Sequence, residues 1–94
     1  MIQIKKLVWT EGNVEHIARH NVTKEEVEEV FHGIHIMKDA HGGRFMMIGP
    51  TMKNRALCII LDPEWPEGTW YIVTARSADR GERKKFTRET GVSL

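Results

Sequence analysis

Two periodicities divide the chain. Up to about Gly33, apolar residues recur every three or four positions; beyond it they gather into short runs separated by turn formers. The first half opens with IKKLVW (4–9), read as a short strand with Ile4 and Leu7 or Val8 facing the core. Thr10 or Glu11 then opens a helix whose Val14, Ile17 and Ala18 share one face by their i, i+3, i+4 spacing. Asn21 closes it, because asparagine tolerates the left-handed backbone that ends helices. Thr23 begins a second helix with Glu26 at capping-box spacing, Val22 placed to staple onto Val27, and Val27, Val30 and Phe31 as its apolar stripe. Gly33 stops it.

Four β-rich runs follow: IHIMK (34–38), RFMMIGP (44–50), ALCIIL (56–61) and TWYIVTA (69–75). The connections DAHGG, TMKN and DPEWPEG are hairpin-length, which predicts antiparallel pairing. LCIIL does not alternate, so it belongs in the middle of the sheet with both faces at least partly covered. Asp79 and Glu82 repeat the capping-box spacing and predict a last helix over about 79–90, with Gly91 just past its end. Phe86 is that helix's only large apolar residue, with Ala78 just ahead of it. The expected order is β-α-α-β-β-β-β-α, an α+β domain with two early helices on one sheet face. Part of the other face is expected to stay open.

Length and composition narrow the class. Ninety-four residues with 40% apolar and 29% charged side chains make one soluble domain, 1–94. No run approaches a membrane span and no signal-peptide core follows Met1, so the expected location is the cytoplasm. The single cysteine, Cys58, lies in an apolar run and reads as inert core.

Charge is uneven. Residues 1–43 carry five Lys/Arg against seven Asp/Glu, residues 44–94 nine against six, and the segment from Arg76 onward six against three. Local basicity on a nearly neutral chain suggests a local anionic partner. Arg76 ends a strand, while Arg80 and Arg83 sit in the first turn of a helix whose amides and dipole favour anions. Arg55, just before ALCIIL, reaches the same end if the two strands are neighbours. Asp79 and Glu82 support the opposite reading, an internal Arg–Glu network pinning the helix to the sheet. His16 and His20 have a metal-ligand spacing but lack the further ligands zinc requires, so no metal and no cofactor are expected. His20 suits proton transfer at neutral pH.

NVEHIARHNVTKEEVEEVF, GRFMMIG, NRALCIIL and TARSADRGERKKF resemble, in order and spacing, the BrnT family of bacterial type II toxins. That family is similar in fold to RelE-like ribonucleases. The likeness runs from about Trp9 to Phe86. The family's H-G-V-[ST] pattern falls on His20-Asn21-Val22-Thr23, its strand entry on Asn54-Arg55-Ala56-Leu57, and its A-R-x-A-x-x-x-E-R pattern on Ala75, Arg76, Ala78, Glu82 and Arg83. Asn21 and Asn54 stand where glycine is usual, and Pro50 where Arg or Lys often stands. The resemblance implies RNA cleavage that arrests translation and neutralisation by a BrnA-like antitoxin with a DNA-binding part. Operator DNA would then be bound only through that complex.

The expected chemistry is metal-independent cleavage through the 2′-hydroxyl. Arg55 and Arg76 would hold the phosphate, His20 would carry the proton with Glu82 as the alternative base, and Arg80, Arg83 and Lys84 would track the RNA backbone. The competing expectation is a non-catalytic interaction module of the same fold, in which the basic helix and the open sheet face bind an acidic partner protein and the arginines are structural. In it Met37, Met46, Met47 and Met52 or the loop residue Trp65 meet a partner. DNA binding by this chain alone is disfavoured, because no helix begins with base-reading residues.

Overall fold

The computed structural model describes residues 6–94. The order is β1 (Lys6–Val8), α1 (Glu11–Ala18), α2 (Lys24–His32), β2 (Ile36–Asp39), β3 (Phe45–Pro50), β4 (Ala56–Glu64), β5 (Thr69–Ser77) and α3 (Arg80–Thr90), with a short 3-10 turn at His41–Gly43. This is the expected α+β succession. Ile4, which the expected strand 4–9 placed toward the core, lies outside the described residues. Among the described residues no helix is long and apolar enough to cross a membrane.

The helix ends follow the local chemistry. Thr23 and Glu26 form a reciprocal capping box, as do Asp79 and Glu82, and Gly91 closes α3 in the left-handed conformation. Asn21 and Asn54 both have positive φ (59° and 63°), the conformation glycine would otherwise supply. Helix α1 departs from its predicted face. Ile17 is buried, but Val14 is only half-buried, Ala18 is exposed, and the second buried position is Asn13. The Asn13 side chain completes a capping box with Thr10 and donates from Nδ2 to the Val8 carbonyl at 2.9 Å. A polar tie to the end of β1 thus replaces part of the expected apolar stripe.

The five strands lie in the order β1-β5-β4-β3-β2. β4 is central, as its unalternating sequence predicted. β2 through β5 pair antiparallel, and β1 adds to β5 in parallel. β4 and β5 run further than expected: the pairing continues through Pro63–Trp70 and Glu64–Thr69. The connection therefore shrinks to the turn that carries Trp65, which is 88% exposed.

Two apolar layers flank this sheet. Ile17, Val27 and Val30 from the early helices, with Val22 from the turn between them, pack on Met47, Leu57, Ile59, Leu61 and Ile72. On the other face Phe86 of α3, fully buried, packs with Ile36, Ile48, Cys58 and Ala78. The second face is therefore less open than the sequence suggested. One aromatic anchors the polar helix, and Lys38 of β2 pairs with Glu89 of α3. Of the four methionines weighed as a partner surface, Met47 is buried, Met37 and Met46 are half-buried against the two layers, and Met52 is exposed.

Gly49 in β3 admits a close crossing. A Cβ there would stand 2.6 Å from the Ile34 carbonyl oxygen and 3.1 Å from the His35 Cβ. Backbone on the far side cannot step aside as a flexible side chain would. Gly49→Ala is expected to destabilise the fold by about 1–3 kcal/mol, as overpacking does. Thermal denaturation checks this, each kcal/mol lowering Tm by about 4–8 °C in a domain of this size.

Candidate nucleic-acid interface

The basic residues sort into two sets, those held by carboxylates and those left free. Arg76 belongs to the first. It makes a bidentate pair with Glu82, 2.8 Å at each fork, while Glu82 Oε1 also accepts the Asp79 backbone N–H. The Arg76 hydrogen bonds, joined by the Asp79 amide, outweigh burial and hold the Glu82 carboxyl at about 2, well below its ordinary value. Arg76 is correspondingly raised by the same bond. Beneath this pair lies Cys58, whose thiol is pushed up to about 12, chiefly by burial and next by the Glu82 carboxylate. The thiol stays protonated at neutral pH and is inert core, as expected.

Arg55 is clasped separately. Its Nη1 donates to the Asn21 carbonyl and to both Glu26 oxygens at 3.1 Å, and its Nη2 donates to Ser77 Oγ at 3.2 Å. Burial disfavours the charged form of Glu26, but the Thr23 amide and Arg55 together outweigh it and leave the carboxyl lowered.

Arg55 and Arg76 both reach Ser77, Arg55 donating to its hydroxyl and Arg76 to its carbonyl at 3.2 Å each. Each guanidinium is nevertheless held by its own carboxylate, and the shared phosphate clamp expected of them is not formed. A β-bulge lies further along β5 from Arg76: Ile60 pairs with Thr74 and Leu61 with Ile72, which leaves Val73 as an extra residue in β5. Ile72 and Ala75 consequently share the α1–α2 face, and Arg76, opposite Cys58, is turned to the α3 face. Glu82 is corrected with it. A carboxylate gripped by a guanidinium and a capping amide is a poor proton acceptor, so the general-base role assigned to it is withdrawn.

A group of free cations lies together on α3. Residues 80, 83, 84, 87 and 88 share one helical face, and Arg80, Arg83, Lys84 and Arg88 line a depression of about 540 Å³ with Thr87 and the returning segment Ser93–Leu94. None of these four cations pairs with a carboxylate among the described residues. Arg83 donates to the Ala78 carbonyl at 3.3 Å, which steadies it at the start of the helix. Arg83 and Leu94 also line a second depression of about 410 Å³, together with Asn54, Arg55 and Ser77. The structure thus brings Arg55 and Arg83 to one hollow and continues it into the α3 face.

His20 is exposed at the end of α1, edge-on to His16 with 5.6 Å between ring centroids. It does not line either depression, although the carbonyl that Arg55 grips belongs to the next residue, Asn21. Among the described residues no three His, Cys, Asp or Glu side chains cluster so as to hold a metal ion. Arg88, Thr87 and Ser77 were not foreseen. Arg88 was readable, standing eight residues after Arg80 on the same helical face; Ser77 depends on strand register. Compared with known proteins, the chain matches no family model and no curated sequence.

The Glu82 carboxyl supplies a pH test. Its folded value lies below the ordinary 4.5, so its stabilisation is complete above that value and is lost as pH falls through it toward about 2. Urea midpoints of the parent protein are expected to drop across this window. Glu82→Gln should be less stable at neutral pH and lose less on acidification. Parallel pH profiles for the two proteins would show that the Arg76–Glu82 pair does not carry the dependence.

Proposed function

We propose that this protein is the toxin of a type II toxin–antitoxin pair, a metal-independent endoribonuclease that holds RNA along α3 and cleaves it through the 2′-hydroxyl. The observation that carries the reading is the row of four uncompensated cations on α3, continuous with the hollow that Arg55 and Arg83 share. The resemblance to BrnT toxins supports the same reading and supplies the remaining expectation, a BrnA-like antitoxin that neutralises the chain and carries operator binding.

In this scheme Arg55 and Arg83 face the scissile phosphate, while Arg80, Lys84 and Arg88 hold its neighbours. Guanidinium groups match phosphate oxygens and stabilise the charge that builds on them during attack. The 2′-oxygen loses its proton and bonds to phosphorus, the bond to the 5′-oxygen breaks, and that oxygen takes up a proton. The products are a 2′,3′-cyclic phosphate and a 5′-hydroxyl, with no change of oxidation state. His20, adjacent in the chain to the carbonyl Arg55 grips, is the proton carrier. Arg76 and Glu82 position α3 and do not touch the substrate.

A second reading, RNA binding without cleavage, is favoured by one observation: Arg76 and Glu82, two of the four catalytic candidates, are engaged with each other. One experiment separates the two. Purified protein in EDTA is given matched all-ribo and all-deoxy strands. Cleavage of the ribo strand, with the deoxy strand bound but uncut, is expected. His20→Ala should reduce the rate by about 10²–10⁴ at unchanged affinity, the range for loss of a general acid–base group. Tight binding with no cut ribo strand supports the module, and cleavage of the deoxy strand overturns the 2′-hydroxyl mechanism.

A further inference from the structure

The chemistry of the α3 face also bears on which form of RNA it takes. We infer that this face grips the sugar–phosphate backbone of base-paired RNA and does not read bases, an inference that rests on the RNA reading above. The first reason is what lines the groove. Arg80, Arg83, Lys84 and Arg88 supply charge, Thr87 and Ser93 supply hydroxyls, and no aromatic ring is present. Proteins that take unpaired strands stack the splayed bases on aromatic rings or on flat-held guanidinium planes. Arg80 and Arg88 make no hydrogen bond among the described residues that would hold their planes flat. Among the described residues the exposed large aromatic is Trp65, which sits in the β4–β5 turn, at the opposite end of those strands from Arg55 and Ser77. A single strand here would gain phosphate contacts and leave its bases unsupported.

The second reason is spacing. The cations recur with each turn of the helix, about 5.4 Å apart along the axis, and span about 12 Å from residue 80 to residue 88. The helix backbone sets them out as a straight ladder. A duplex presents a matching regular row of phosphates and keeps its bases stacked inside, so no ordering cost arises on binding. The A-form minor groove displays 2′-hydroxyls beside those phosphates. The Thr87 and Ser93 hydroxyls, each both donor and acceptor, stand among the cations where such groups would arrive.

The test is fluorescence anisotropy at fixed salt, in EDTA, with His20→Ala protein so that cleavage does not intrude. The probes are RNA hairpins of two unrelated stem sequences, with tetraloops of equal length, and single-stranded oligo(U) carrying the same number of phosphates. The stems are expected to bind within about twofold of each other and at least about fivefold tighter than oligo(U). Four phosphate contacts should give a log–log salt slope of roughly −3 to −4. The triple variant Arg80→Ala/Lys84→Ala/Arg88→Ala, whose changes are all on exposed positions, should lose most of that affinity and of the slope. Oligo(U) binding tighter than the stems, or one stem strongly preferred over the other, overturns the inference and leaves RNA binding standing. Failure to bind any of the RNAs, or equal binding by the triple variant, overturns both the inference and the RNA reading beneath it.

Discussion

The single extra residue in β5 determines how charge is distributed over this molecule. Strand side chains alternate, so Ile72, Thr74 and Arg76 would share a face in an unbroken strand. The bulge at Val73 moves Ala75 into Ile72's layer and leaves Arg76 on the other face, opposite Cys58. Arg76 then meets Glu82, and a helix with one buried aromatic gains a second fixed point beside Phe86. The two arginine–glutamate clasps lie on opposite faces of one sheet. Each ties a helix to a strand end: Arg55 holds the α1–α2 turn through Asn21 and Glu26, and Arg76 holds the first turn of α3.

This explains why the fold was more legible in the sequence than the site. Capping pairs at Thr23/Glu26 and Asp79/Glu82, left-handed asparagines and hairpin-length turns act over three or four residues, so local spacing reveals them. Central placement of β4 followed from its unbroken apolar run. The exposed Ala18 and buried Asn13 were missed because the Asn13 side chain bonds the Val8 carbonyl, five residues back, and that contact depends on the angle at which the strand end meets the helix and not on apolar spacing. Likewise no local signal marks Val73 as a bulge, since VTA continues a good β-run. The face of Arg76 relative to Ile72 hangs on that one residue, and the carboxylates that occupy Arg55 and Arg76 come from two different helices.

What remains after the clasps are formed is itself informative. Arg76, Arg55 and Lys38 have carboxylate partners, so each contributes to holding helices on the sheet. Arg80, Arg83, Lys84 and Arg88 have none among the described residues, although like charges three or four apart on a helix repel by about 0.2–0.5 kcal/mol per pair. Three such spacings, 80–83, 80–84 and 84–88, occur on this face alone. A sequence serving only a docked helix would alternate sign there, as Glu82, Lys85 and Glu89 do on the neighbouring side of α3. The repulsion is relieved when an anion enters the groove, so a ligand's phosphates would stabilise the folded chain as well as bind it. The clasps make this tolerable: because Phe86 and Arg76 fix α3 from below, the exposed face can keep its charge without releasing the helix.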